Sequence, residues 1–176
     1  MDEIIKEYYD KSFISSLLCE LTYNYYSWIY QIIIFPTILT SSVLTVLNAS
    51  EMNKNVIQYI NIIINGVNTI LLTINSYFKF NDRSLHFKIM RVKFNTLNHK
   101  IESLTNKKKI DNSLIINMDE IINEFDSLYN DLQFPFPSSI KTKVIKKYGR
   151  TRRLPNSLAI DSEIEGTILF QELPNV

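Results

Sequence analysis

Two uncharged segments, Leu21 to Ser50 and Asn55 to Phe78, dominate the chain, separated only by the short stretch Glu51 to Lys54. A helix of about 20 apolar residues spans the roughly 30 Å hydrocarbon core of a bilayer, so each segment is long enough to cross one. The connection from Asn48 to Asn55 is too short for the second segment to run parallel to the first. The pattern therefore predicts an antiparallel two-span hairpin. Averaged over 176 residues the pattern disappears: 45% of residues are hydrophobic, the net charge is +1 and the mean hydropathy is -0.03, because charged flanks dilute the apolar runs.

The expected spans are about 26–48 and 56–78. Tyr23, Tyr25, Tyr26, Trp28 and Tyr30 lead the first span, and Tyr77 and Phe78 close the second, as amphipathic aromatics do at a water–lipid boundary. Pro36 lies inside the first span and predicts a kink over Ile32 to Pro36. Lys79, Arg83, Lys88, Arg91 and Lys93 follow the second span, against Lys54 alone in the connection. The positive-inside rule then puts both termini in the cytoplasm. The acidic N-terminus, MDEIIKEYYDK, lacks the basic opening of a signal peptide, so the first span is expected to be retained. The single cysteine, Cys19, cannot form an intramolecular disulfide.

Polar side chains recur within the spans at helical spacing. Asn61, Asn65, Asn68 and Asn75, with Thr69, fall along one side of the second; Thr37, Ser41, Thr45 and Asn48 form a stripe on the first. Amides are costly in hydrocarbon, so these stripes should face protein or water. Hydrogen bonding between the two spans satisfies them. So does an oligomer whose Asn-bearing faces line a hydrated pore, or the core of a soluble bundle.

Beyond Asn81 the pattern becomes amphipathic. Phe80, Phe87, Met90, Phe94, Leu97, Ile101 and Leu104 trace a heptad seam over a helix at about 80–105. That seam serves either core packing or oligomerisation through Phe87, Met90, Phe94, Leu97, Ile101 and Leu104. After an expected polar break at Thr105 to Asp111, Leu114, Met118, Ile121, Phe125, Leu128 and Leu132 mark a helix at about 112–132, with Asp111 or Asn112 as its cap. The two should pair antiparallel, and Asp2 to Leu21, carrying Ile4, Ile5, Tyr8, Tyr9, Phe13, Leu17 and Leu18, adds an N-terminal helix. The fold class is thus all-α: a two-span transmembrane hairpin with an N-terminal helix and a cytoplasmic antiparallel pair, in one domain over 1–133. Phe134-Pro135-Phe136-Pro137 ends the helices. Residues 134–176 are expected to be a flexible tail whose basic cluster, Lys141, Lys143, Lys146, Lys147, Arg150, Arg152 and Arg153, contacts anionic lipid in preference to nucleic acid.

Catalysis has little footing. No phosphate-binding glycine loop or nucleophile elbow occurs, and Cys19, His86 and His99 cannot supply a familiar zinc set. Asp119, Glu120 and Glu124 are consistent with a solubilising helix face. The expectation is a protein that is not an enzyme and needs no cofactor or metal.

The aromatic-led first span (YYSWIYQIIIFPTILTSSVLTVL), tight turn, second span (INIIINGVNTILLTINSYF) and membrane-proximal helix (FNDRSLHFKIMRVKFNTLNHKIESL) give an order that resembles the SLATT domain family over about residues 10 to 105. These are two-transmembrane effector modules found beside nucleotide-second-messenger and SLOG-type sensor systems. Phe80, His86, Phe87, Phe94, Leu97 and Ile101 fit the charged, aromatic-spaced helix that follows the second span there. The resemblance implies a membrane-inserted effector that oligomerises into a pore or membrane-perturbing assembly upon a signal. The alternative is a non-conducting anchor that recruits a cytoplasmic protein partner through its helices and basic tail.

Overall fold

A computed structural model describes residues 2–50, 53–110, 118–149, 151–155 and 158, and these are helical with short connections. Five helices are present among them: α1 (Asp2–Asn48), α2 (Lys54–Phe78), α3 (Phe80–Ile110), α4 (Met118–Asn130) and α5 (Ser138–Tyr148). Two helices are long and apolar enough to cross a membrane. Only 17% and 11% of their most apolar windows is buried, so neither is wrapped by the rest of the chain as a core helix is.

The expected division into an N-terminal helix and a separate first span is corrected. α1 is continuous from Asp2 to Asn48 because no glycine interrupts it and its one proline, Pro36, is accommodated inside the helix. The helix that follows the second span also outruns its expected end. No Gly or Pro stands between Phe80 and Ile110, and the lysines of the expected break are good helix formers, so α3 continues to Ile110. Asp111, Asn112 and Leu114 lie outside the described residues.

The chain forms two compact units. One, the bundle unit, comprises Met1–Tyr23 and His86–Val176; the other, the apolar unit, comprises Asn24–Leu85.

In the bundle unit, Ile5, Ile14, Leu18 and Cys19 of α1 are buried, as are Phe87, Met90, Phe94, Leu97 and Ile101 of α3 and Ile121 and Phe125 of α4. Phe94 and Phe125 meet with ring centroids 5.9 Å apart, and Tyr8 meets Phe125 edge-on at 5.6 Å. α4 runs against α3 with Lys93 bonded to Asp131 and Lys100 to Glu120 and Glu124, so that rising numbers on one helix meet falling numbers on the other. α1 presents a small-residue edge, Ser12, Ser15, Ser16, Cys19 and Thr22, all buried. Its close approach to α3 is marked by Ser12 Oγ donating to the Phe94 carbonyl at 3.1 Å and Ser16 Oγ donating to Asn95 Oδ1 at 2.7 Å.

The expectation of a flexible tail from residue 134 is also corrected. Phe136, then Ile140 and Val144 one helical turn apart on α5, then Pro155 and Leu158, are buried in the bundle unit. Arg152 donates to Asp10 Oδ1 at 2.9 Å and lies over the Phe13 ring at 4.2 Å, while Arg153 bonds Glu3 at 3.0 Å. Residues 159–176 lie outside the described residues.

His86 accepts the Gln133 backbone N–H on Nε2 at 3.3 Å and sits edge-on to Phe134 and Phe87. Burial, and then the nearby Lys93 charge, hold its pKa below the ordinary histidine value of about 6.5. Above that value the unfolded and folded chains are both neutral here, and the contact is intact. As pH falls below it the unfolded chain takes up the proton first, so stability is lost. The melting temperature of the bundle unit is expected to drop more between pH 7.5 and pH 5.5 in the wild type than in His86→Phe, which keeps the ring contacts and cannot titrate. Equal drops in both would rule out His86 as the source.

Candidate functional site

The apolar unit consists of the second half of α1, α2 and the first turn of α3. α2 is capped at its start by Asn53, whose side chain accepts the Asn55 N–H at 3.0 Å. Its C-terminal end is capped by Lys79, held in the left-handed conformation (φ 51°, ψ 45°) with its N–H bonded to the Asn75 carbonyl. Phe78 and Phe80 stack across this joint at 5.4 Å, Tyr26 stacks on Phe80 at 6.3 Å, and the Arg83 guanidinium lies over the Tyr26 ring at 5.7 Å. Aromatics therefore gather where α2 ends. At the other end Asn61 Nδ2 donates to Asn48 Oδ1 at 2.8 Å, and midway Thr40 Oγ1 donates to Asn68 Oδ1 at 2.9 Å.

These contacts sort the predicted polar residues. Asn68 is buried and bonded to α1; Asn61 is half-buried and bonded to Asn48. Asn75 is half-buried, and its Oδ1, like that of Asn61, is closed to solvent without a hydrogen-bond partner. Asn65 is exposed. On α1, Thr37, Ser41 and Thr45 each donate to a carbonyl one turn back on their own helix, at Ile33, Thr37 and Ser41, and the latter two are exposed. Thr40, which makes the bond to Asn68, was absent from the sequence stripe. It shares a helical face with the buried Ile33 and Leu44.

Around α2, the edge toward α1 holds Ile57, Asn68 and Asn75, and one step further round stand Gln58, Asn65 and Thr69, all exposed. Around α1, the exposed Ser41, Thr45 and Asn48 stand one step beyond the α2-facing Ile33 and Leu44. For two right-handed helices running in opposite directions, these two steps lead to the same side of the pair. At the connection end both contribute to one open hollow of about 630 Å³, lined by Asn48, Ser50, Lys54, Gln58, Asn61 and Asn65 among others. Most of the remaining exposed surface is apolar, with Phe35 69%, Val46 71%, Ile63 65% and Ile70 62% exposed, and Gln31, Ser42 and Thr73 are exposed polar residues within it. The unit thus has a polar flank on a mostly hydrocarbon-like surface.

The residues expected as an oligomer seam are corrected. Phe87, Met90, Phe94, Leu97 and Ile101 are each at most 2% exposed, inside their own bundle unit, and Leu104 is half-buried. α4 and the first part of α1 take the place the seam would have offered a second copy. The basic cluster divides. Arg152 and Arg153 are ion-paired to α1, Lys141 is half-buried, Lys143, Lys146 and Lys147 are exposed on α5, and Arg150 lies outside the described residues. Among the described residues no group of three or more His, Cys, Asp or Glu side chains is placed to hold a metal ion. The Cys19 thiol is pushed up to about 12 by burial.

Compared with models of known protein families, with curated proteins and with solved structures, the chain matches none.

Proposed function

We propose that the protein is an integral membrane protein that crosses the bilayer twice as a helical hairpin, both termini cytoplasmic, and that copies assemble through its polar flank to enclose a hydrated path. The observation that carries the reading is the polar flank. Gln58, Asn65, Ser41 and Thr45 are exposed together on a unit whose exposed surface is otherwise mostly apolar or aromatic, with Gln31, Ser42 and Thr73 as exposed polar residues beyond the flank. A lipid-facing amide is costly, and an Asn is both donor and acceptor, so the same flank on a second copy is a matching partner. The aromatics gathered at the α2 end, with the cations from Lys79 onward, support the cytoplasmic boundary there. The order of elements also resembles that of SLATT effectors, for which this activity is the expectation.

In proteoliposomes, Gln58→Leu with Asn65→Leu is expected to lower dye leakage on the order of tenfold through two lost interhelical contacts, each worth up to about 1 kcal/mol, while carbonate-resistant insertion persists. Unchanged leakage in the double variant would sink the assembly through this flank. A second reading, a non-conducting anchor for the bundle unit, is favoured by the bonds Thr40 to Asn68 and Asn48 to Asn61, which satisfy part of each stripe within one chain. It predicts carbonate-resistant insertion with no leakage from the wild type.

A further inference from the structure

α5 contains four lysines and no acidic residue in eleven positions. Its inner face is fixed: Ile140 and Val144 are buried, and Tyr148 meets Phe13 edge-on at 6.3 Å. The outer face, at helical spacing, is Ser139, Lys143, Lys146 and Lys147, all exposed. Several cations elsewhere in the bundle unit are matched to carboxylates, namely Lys11 to Glu7, Arg91 to Glu20, Lys93 to Asp131, Lys100 to Glu120 and Glu124, and Arg152 to Asp10, and Lys88 lies over the Tyr23 ring at 6.0 Å. Lys143, Lys146 and Lys147 have no carboxylate within ion-pair distance among the described residues. The helix is thus held by its apolar side and shows solvent a small, uncompensated cationic face, preorganised before any ligand arrives.

We infer that the outer face of α5 is a docking surface for the anionic headgroups of the cytoplasmic leaflet, with Lys143, Lys146 and Lys147 as its contacts. The inference rests on the membrane reading above, which supplies the surface. Three exposed cations fixed on one short helical face match a charged sheet of headgroups better than they match a compact ligand. The one aromatic on α5, Tyr148, lies beneath Lys147 Nζ at 5.2 Å and is engaged with Phe13 on the inner face, so it is not offered to stack on a base. Each lysine contributes about fivefold to binding at such a surface and loses it within a Debye length or at high salt.

The test uses the full chain in nanodiscs, with Ser139→Cys carrying an environment-sensitive fluorophore. Cys19 is buried and its thiol protonated at working pH, so the label goes to position 139. In discs containing about one-third phosphatidylserine the emission is expected to shift to the blue and return as salt rises, and in pure phosphatidylcholine discs it stays put. Lys143→Gln, Lys146→Gln and Lys147→Gln together should weaken the response on the order of 100-fold, whereas the three Lys→Arg changes preserve it. Equal emission in both kinds of disc overturns the inference. So does a response in phosphatidylcholine discs to added inorganic phosphate or duplex RNA, which would reassign the face to those ligands. Carbonate extraction of the same protein from liposomes reports separately on insertion. Release there defeats the membrane reading, while retention without a lipid-dependent shift defeats only the α5 contact.

Discussion

Phe94→Ala is expected to destabilise the bundle unit by about 3–5 kcal/mol, the range for removing a fully buried aromatic side chain. The ring is closed to solvent and packs against Phe125, and its backbone carbonyl receives the Ser12 hydroxyl, so the cavity opens between α1, α3 and α4 at once. Val92→Ala, on the exposed side of the same helix, should change stability by no more than about 0.5 kcal/mol. Denaturation of both variants in detergent, repeated at several protein concentrations, separates the two roles the seam could have. A core residue gives a loss independent of concentration. A loss that grows on dilution would return Phe94 to an interface between copies.

The second large effect concerns the segment that composition presents as a tail. Val144→Asp places a carboxylate where the side chain is 1% exposed, and burying an unpaired charge costs several kcal/mol. α5 is expected to detach, and trypsin to cut after Lys141, Lys143, Lys146 and Lys147 far sooner than in the wild type. Lys143→Asp, one residue away on the exposed face, should leave the protection of the other sites as it was. If both variants are cut at the wild-type rate, the packing of α5 is not what protects it.

How far the sequence speaks differs along the chain for physical reasons. The two long apolar helices and the amphipathic run of α3 were legible because Ile, Leu and Phe at regular spacing are what burial or lipid selects. α5 was not, since four lysines in eleven residues hide an apolar repeat of only Ile140, Val144 and Tyr148. The packing edge of α1 was equally hidden. Hydrophobic periodicity points to Ile4, which is 47% exposed, and misses Ser12, Ser15 and Ser16, which are buried because the helices approach closely there. The Asn positions of α2 were legible as a stripe, yet their division into Asn68 and Asn61, which bond to α1, and Asn65, which remains exposed, depends on the rotation of one helix against another. That rotation is set by tertiary packing. Likewise the seam of α3 was visible, but a repeat of apolar residues does not say whether its partner is α4 of the same chain or another copy.

The small-residue edge of α1 also bears on how this chain can change over time. Where Ser12 touches the backbone of Phe94 the contact is made by a small, fully buried side chain, and Ser15, Ser16, Cys19 and Thr22 continue the same line. Large core residues can be exchanged for one another with repacking, but a contact between near-bare backbones has no side chain to rearrange. Drift along this edge is therefore confined to Gly, Ala, Ser, Cys and Thr. Relatives that have lost every Ile and Phe identity elsewhere should still align here by the smallness of five positions.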